Sequence, residues 1–123
     1  MLTGAEHASE ALDCIQISHQ LIARGHRRTA SDVLWLGVKH AISVIAIATG
    51  QDYGKYQHKR SVIRRLADET NNAELNDSLK VAMRIHADAD QGFLSTLELV
   101  LRQQQTLDFV ERLLAISNVT SDH

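Results

Sequence analysis

Residues 32–50 read DVLWLGVKHAISVIAIATG, and this stretch decides the fold of the chain. Aliphatic residues occupy so many of its positions that a helix formed here is apolar almost all round. Such a helix is either buried on several sides or placed at a subunit interface. The stretch therefore predicts the second helix of the chain, which follows the polar residues 29–31 and ends before Gly50.

The flanking sequence predicts four more helices, because apolar residues recur along it every three or four positions. Their expected ranges are residues 6–24, 58–69, 73–91 and 95–116, with a loop over residues 51–57. Short connections favour antiparallel neighbours. We therefore expect one domain over residues 1–123, an all-α, up-and-down bundle of four to five helices.

Residues that are typical of helix ends lie between the predicted helices. Gly25, Gly50 and Gly92 each follow a helical pattern, where the chain commonly turns left-handed. Asn71 is the expected N-cap of the fourth helix, since a glutamate follows it three residues later. Ser95 opens a capping box that predicts the start of the fifth helix.

Composition excludes several classes of protein. The chain has 123 residues, 44% of them hydrophobic, and a net charge of −2, which is not the basic balance of most nucleic-acid-binding proteins. Its one cysteine, Cys14, cannot form an internal disulfide. The N-terminus lacks the features of a secretion signal, and apolar residues 41–48 fall short of the roughly 20 needed to cross a bilayer. We expect a cytoplasmic protein with no membrane association.

The second helix offers more apolar surface than a small bundle usually buries. Large apolar surfaces tend to mark interfaces, so the sequence predicts a homodimer through this helix. The alternative is that it is the central helix of a monomer. Trp35, Gly37 and His40 interrupt its aliphatic pattern, and the glycine indicates close packing of another helix.

His86 lies on the apolar stripe of the fourth helix, where a leucine would be expected. The interpretation that we favour is a core histidine hydrogen-bonded to a neighbour, and the alternative is a histidine in a pocket with a shifted pKa. His86 and Asp90 share a helix face and form half a metal site, which His40 or Glu10 would have to complete. We favour Asp88 and Asp90 as solvated surface charges, with no metal and no cofactor.

Two basic clusters carry the other binding hypothesis. One closes the first helix (Arg24, His26, Arg27 and Arg28), and one lines the third (His58, Lys59, Arg60, Arg64 and Arg65). Tyr53 and Tyr56 precede the second cluster, and basic side chains beside aromatic rings can bind phosphate and stack a base. From the residues alone, the interpretation that we favour is an ordinary charged surface, given the acidic overall balance of the chain.

Two segments resemble the HEPN-like helical bundles, in particular their archaeal PaREP-type branch. The first is the second helix, with Trp35 and His40 at the spacing those proteins often show. The second is residues 85–95, IHADADQGFLS, which is similar to their Leu-His-x-Asn-Phe-Tyr-x-Gly segment. The resemblance runs in order from about residue 30 to residue 115, and of the second segment His86 and Gly92 carry over.

The resemblance implies a bundle of four to five helices that is commonly dimeric. It also implies an association with RNA cleavage, toxin–antitoxin pairs or small nucleotidyltransferases. The nuclease branch depends on Arg-x(4–6)-His, and no arginine of this chain has a histidine at that offset, since Arg84 and His86 are only two apart. Residues 88–90 are Asp-Ala-Asp where the similar segment has Asn-Phe-Tyr.

The sequence therefore predicts a non-catalytic, HEPN-like dimer that binds a partner protein or a nucleotide or RNA ligand. One alternative is a metal-independent ribonuclease that uses His86 with Arg84, and another is a metal-binding bundle with His86 and Asp90 as ligands. The candidate ligand-binding residues are Trp35, His40, His86, Arg60 and Arg64.

Overall fold

The computed structural model describes the backbone of residues 1–121 and the side chains of residues 1–118. That part of the chain forms five helices and no strand, which confirms the predicted all-α bundle. The helices are α1 (Gly4–Ala23), α2 (Arg27–Ala48), α3 (Tyr56–Glu69), α4 (Glu74–Gln91) and α5 (Thr96–Ser121). The single domain over residues 1–123 stays a prediction that reaches beyond the described residues.

α2 lies at the centre of the bundle, because it packs against each of the other four helices. Its most extensive partner is α1, whereas α3 packs mainly against α4. Gly37 marks a close approach of α1, since a Cβ built there would stand 3.2 Å from the Cβ of Cys14. The close helix contact that this glycine predicts is therefore present.

The length and hydropathy of α2 are those of a helix that could cross a membrane, and within the described residues no other helix has both. Most of its apolar stretch is buried inside the bundle. This burial is what the core helix of a soluble protein shows. The cytoplasmic location stays a prediction.

The helix ends follow the capping residues in most places. Gly25, Gly50 and Gly92 have φ values of 83°, 67° and 66°, which is the left-handed conformation predicted for them. Ser95 caps α5, since its Oγ accepts a hydrogen bond from the backbone N–H of Glu98 at 3.2 Å. α5 continues to Ser121, past the predicted end at residue 116.

One predicted N-cap is wrong, and three helices begin earlier than predicted. Asn71 does not cap α4, whose N-cap is Ala73. Asn71 instead adopts a left-handed φ of 51° and donates its N–H to the carbonyl of Asp68, so that it closes α3. α3 begins at Tyr56, two residues early, where the ring of His58 accepts a hydrogen bond from the N–H of Lys55 at 3.2 Å. α1 and α2 likewise begin earlier, at Gly4 and Arg27.

Candidate functional site

His86 lies on the surface of the bundle, so the favoured interpretation of a core histidine is wrong. Its side chain is 46% exposed, and its Nδ1 lies 3.5 Å from Oδ1 of Asp32. Its ring stacks on Trp35 with 5.2 Å between the ring centroids. Ile85 is buried instead of His86. Steps of three and of four residues both fit the helical period, so the spacing of the apolar stripe allows either residue.

Asp88 is fully buried, so the prediction of a solvated charge is wrong for this residue. One carboxylate oxygen accepts a hydrogen bond from the backbone N–H of Leu94 at 2.6 Å. The other lies 3.2 Å from the guanidinium of Arg28. Asp88 therefore ties the α4–α5 connection to α2, whereas Asp90 is exposed as predicted.

The residues named for catalysis and for metal binding make separate contacts. His86 contacts Trp35 and Asp32, while the guanidinium of Arg84 lies over the ring of Phe93 at 5.0 Å from its centroid. Residues two apart on a helix point in nearly opposite directions. Among the side chains that the structure describes, no group of three or more His, Cys, Asp or Glu residues is gathered in a metal-binding arrangement, around His86 and Asp90 or elsewhere.

His40 lies in a different cluster from His86. Its Nδ1 is 2.9 Å from Nδ1 of His7 on α1, and the ring of Tyr53 lies edge-on to His7. Burial lowers the pKa of His40, and the neighbouring His7 and Lys39 lower it further, while the Glu10 carboxylate opposes them. Tyr53 therefore faces α1. It does not lie beside Tyr56, although the sequence analysis places both tyrosines next to the second basic cluster.

Two arginines of the first basic cluster, Arg27 and Arg28, are occupied by contacts within the chain. Arg28 bonds to Asp88, and Arg27 donates to the side-chain oxygen of Gln103 at 3.3 Å. The amide nitrogen of Gln103 in turn donates to the carbonyl of Arg27 at 2.7 Å. These arginines hold α2 against α4 and α5.

Arg60 and Arg64 of the second basic cluster border a cleft of about 460 Å³ between α3 and α4, whereas Lys59 is buried and donates to the carbonyl of Tyr53 at 2.6 Å. Tyr56, Arg60 and Arg64 are spaced four residues apart, so they share the face of α3 that borders the cleft. α4 contributes polar and apolar residues to the opposite wall. The lining residues are Tyr56, Arg60, Arg64, Asn76, Leu79, Lys80 and Met83.

The cleft is cationic and its charges are free. Arg60, Arg64 and Lys80 make no ion pair with any residue in the described part of the chain. Arg65, which neighbours Arg64 in sequence, is instead paired with Glu69 at 2.9 Å. Three unpaired cations around one concave surface favour an anionic ligand.

The two ends of the cleft differ in chemistry. The hydroxyl of Tyr56 contacts the sulfur of Met83 at the end where α3 begins. Arg64 and Asn76 lie towards the other end, near the turn that joins the two helices. The end with the aromatic ring and the thioether suits apolar or planar groups of a ligand. The end with the guanidinium and the amide suits the oxygens of a phosphate or a carboxylate.

Lys80 is the residue of this cleft that sequence reasoning missed. It lies four residues after Asn76, so a polar stripe on α4 is visible in the sequence. The sequence does not show that this stripe meets α3, since the pairing of these helices depends on tertiary packing.

A family model described as the Archaeal PaREP1/PaREP8 family matches residues 6–118. The match begins within α1 and ends within α5, so it includes residues of all five helices. No match was found among the curated proteins or among the solved structures.

Proposed function

The chain belongs to the archaeal PaREP1/PaREP8 family, and on that premise we propose that it is a non-catalytic, HEPN-like binding protein whose α3–α4 cleft takes a phosphate-bearing ligand, either a nucleotide or RNA. The observation that carries the proposal is the set of three unpaired cations, Arg60, Arg64 and Lys80, beside the exposed ring of Tyr56. A guanidinium can bind phosphate through two parallel hydrogen bonds, and an aromatic ring can stack a base.

The size of the cleft supports the same class of ligand. Its volume of about 460 Å³ falls within the range of roughly 300–1,000 Å³ that small-molecule sites occupy. The cleft is also an open groove between two helices, so a strand of RNA longer than one nucleotide can lie along it. Nucleotide and RNA share the phosphate chemistry, and competition between them distinguishes the two sources.

Fluorescence anisotropy with a labelled single-stranded RNA oligonucleotide tests the proposal. We expect the Arg60→Ala/Arg64→Ala variant to bind at least about tenfold more weakly, since each lost phosphate contact is expected to cost roughly 1 kcal/mol. The matched control is Arg65→Ala, which removes a charge from the same helix outside the cleft. Equal binding by the double variant and the wild type, with RNA and with a competing nucleotide, would contradict the proposal.

The absence of catalysis is part of the proposal. His86 and Arg84 make separate contacts, and the Arg-x(4–6)-His spacing is missing from the sequence. We expect a mixed RNA pool to stay intact when it is incubated with the purified protein. Cleavage that disappears in His86→Ala would favour the ribonuclease alternative instead.

The homodimer through α2 also stays a proposal, as does a role beside a partner protein. Most of the apolar surface that motivates it is buried within the chain, and Leu36 and Ile47 are the large apolar side chains of α2 that remain exposed. Light scattering after size exclusion tests it. A species of twice the chain mass of 13.7 kDa that Leu36→Glu dissociates would support it, and a monomer at micromolar concentration would overturn it.

A further inference from the structure

Arg84 is an exposed cation of α4 that lies outside the lining of the cleft. It makes no ion pair with any residue whose side chain is described. Its guanidinium lies over the ring of Phe93, 5.0 Å from the centroid. Phe93 is itself 46% exposed. The end of α4 therefore carries an unpaired cation and an aromatic ring that both face solvent.

The positive charge of the cleft continues along α4 to this pair. Lys80, which lines the cleft, and Arg84 are four residues apart, so they lie on the same face of α4 about 6 Å apart along its axis. Met83, which contacts the hydroxyl of Tyr56 at the aromatic end of the cleft, directly precedes Arg84. A ligand chain that leaves the cleft at this end therefore meets Arg84 and Phe93 next.

Two acidic residues of α4 lie along a different groove. Glu74 and Asp77 line a groove between α4 and α5, to which Asp108 adds a third carboxylate. One of these carboxylates, that of Glu74, is 3.8 Å from the guanidinium of Arg112. The carboxylates repel a polyanion from that side of α4, which leaves the cationic side as its path.

The length of this path sets the size of the ligand. An α-helix rises about 1.5 Å per residue, so Asn76 at the other end of the cleft and Arg84 are roughly 12 Å apart along the axis of α4. A stacked nucleic-acid strand rises about 3.4 Å per nucleotide. The path therefore matches roughly three to four nucleotides. A single nucleotide is too short to occupy both the cleft and the Arg84–Phe93 pair.

We propose that Arg84 and Phe93 form a second subsite for single-stranded RNA, so that the ligand is a strand of at least about three nucleotides and not a free nucleotide. This inference rests on the proposed function of the α3–α4 cleft. One base stacks on Tyr56, and a later base stacks on Phe93 or on the guanidinium above it. Arg84 also donates charge-assisted hydrogen bonds to a phosphate of the strand.

Fluorescence anisotropy with a labelled single-stranded RNA octanucleotide, and its competition by a nucleoside monophosphate, test the second subsite. We expect the wild type to bind the octanucleotide at least about tenfold more tightly than the monophosphate, since a second base gains a stacking partner. Phe93→Leu and Arg84→Ala should remove most of that difference. Neither substitution should change the affinity for the monophosphate, which occupies the cleft alone.

The salt dependence of octanucleotide binding separates the two roles. Arg84→Ala should reduce the slope of log affinity against log salt concentration by about 0.7, which is the value expected for one phosphate contact on a single strand. Phe93→Leu removes a stacking surface and no charge, so its slope should equal that of the wild type. A merely structural role of either residue would not produce this contrast.

Arg65→Ala and Leu12→Ala are the matched controls. Arg65 is an exposed guanidinium paired with Glu69 outside the cleft. Leu12 is exposed on α1, which does not pack against α4 in the described part of the chain. Both controls should bind the octanucleotide as the wild type does, and circular dichroism establishes that each variant is folded.

Two results would overturn the second subsite and leave the cleft proposal standing. One is a monophosphate that binds as tightly as the octanucleotide. The other is an octanucleotide affinity that both Arg84→Ala and Phe93→Leu leave unchanged. Absence of binding by either probe at millimolar concentration would overturn the second subsite and the proposed function together.

Discussion

Asp88 and Asp90 stand two positions apart on α4 and have opposite environments, although the sequence gives both the same interpretation. Asp88 is fully buried and bonded to Leu94 and Arg28, while Asp90 is exposed. The same contrast separates Ile85 from His86. At the scale of single residues, the sequence identifies which side chains carry chemistry, and tertiary packing decides which of them face water.

Replacing Asp88 with alanine should destabilise the protein by about 2 kcal/mol. The substitution leaves the N–H of Leu94 buried without its acceptor, whereas the guanidinium of Arg28 is 47% exposed and can turn to water. Urea unfolding of Asp88→Ala measures the loss, and Asp90→Ala should stay within about 0.5 kcal/mol of the wild type. Equal effects of the two substitutions would mean that Asp88 is not the buried anchor described above.

His40 should make the stability of the protein depend on pH. Its pKa in the folded protein lies below the unfolded value of 6.5, because burial and then His7 disfavour its charged form. The unfolded chain therefore binds more protons, so stability is complete above about pH 6.5 and falls as the pH drops below that value.

Urea unfolding at pH 7.5 and at pH 5.5 measures this dependence. The loss of stability between the two values should be smaller in His40→Gln than in the wild type. His19→Gln, at an exposed position on α1, should behave as the wild type does. A wild-type stability that rises towards pH 5.5 would contradict the assignment.

At the scale of helices, the spacing of apolar residues predicts five segments whose ends shift by a few residues in the structure. The central position of α2 follows from its apolar character on every side, and Gly37 marks its contact with α1. The buried face of α4 follows the prediction through Ala82 and is displaced by one residue from Ile85 onward, since three-residue and four-residue steps both fit a period of 3.6. The sequence does not predict the start of α3, because the hydrogen bond there runs from the backbone N–H of a lysine to the ring of a histidine, and neither residue is a typical cap.

Gly50 should matter more than Gly54, although both lie in the same connection. Gly50 has a φ of 67° after the end of α2, and an added Cβ would meet no atom within 4 Å. Gly50→Ala should therefore show the cost of the left-handed conformation alone, about 1 kcal/mol of unfolding free energy. Gly54→Ala, at a site without a positive φ, should change stability by less than about 0.5 kcal/mol, and thermal unfolding compares the two.

At the scale of the whole molecule, the sequence predicts the all-α class and Arg60 and Arg64 as binding residues, but not the cleft that they line. Its opposite wall comes from α4, and Lys80 joins the arginines only because α3 packs mainly on α4. The pairing of His7 with His40 is likewise a product of how α1 meets α2. The site depends on contacts between residues far apart in sequence, and the spacing of apolar residues does not predict such contacts.

The central claim is that the cleft between α3 and α4 binds phosphate-bearing ligands, and amide NMR spectra of the ¹⁵N-labelled chain test it most directly. On titration with a single-stranded RNA oligonucleotide or a nucleoside monophosphate, the largest shifts should fall at Tyr56, Arg60, Arg64 and Lys80. Saturable shifts at these positions are the result that we predict. Shifts confined to other surfaces, such as the Trp35–His86 stack, or no shifts at millimolar ligand, would contradict the claim.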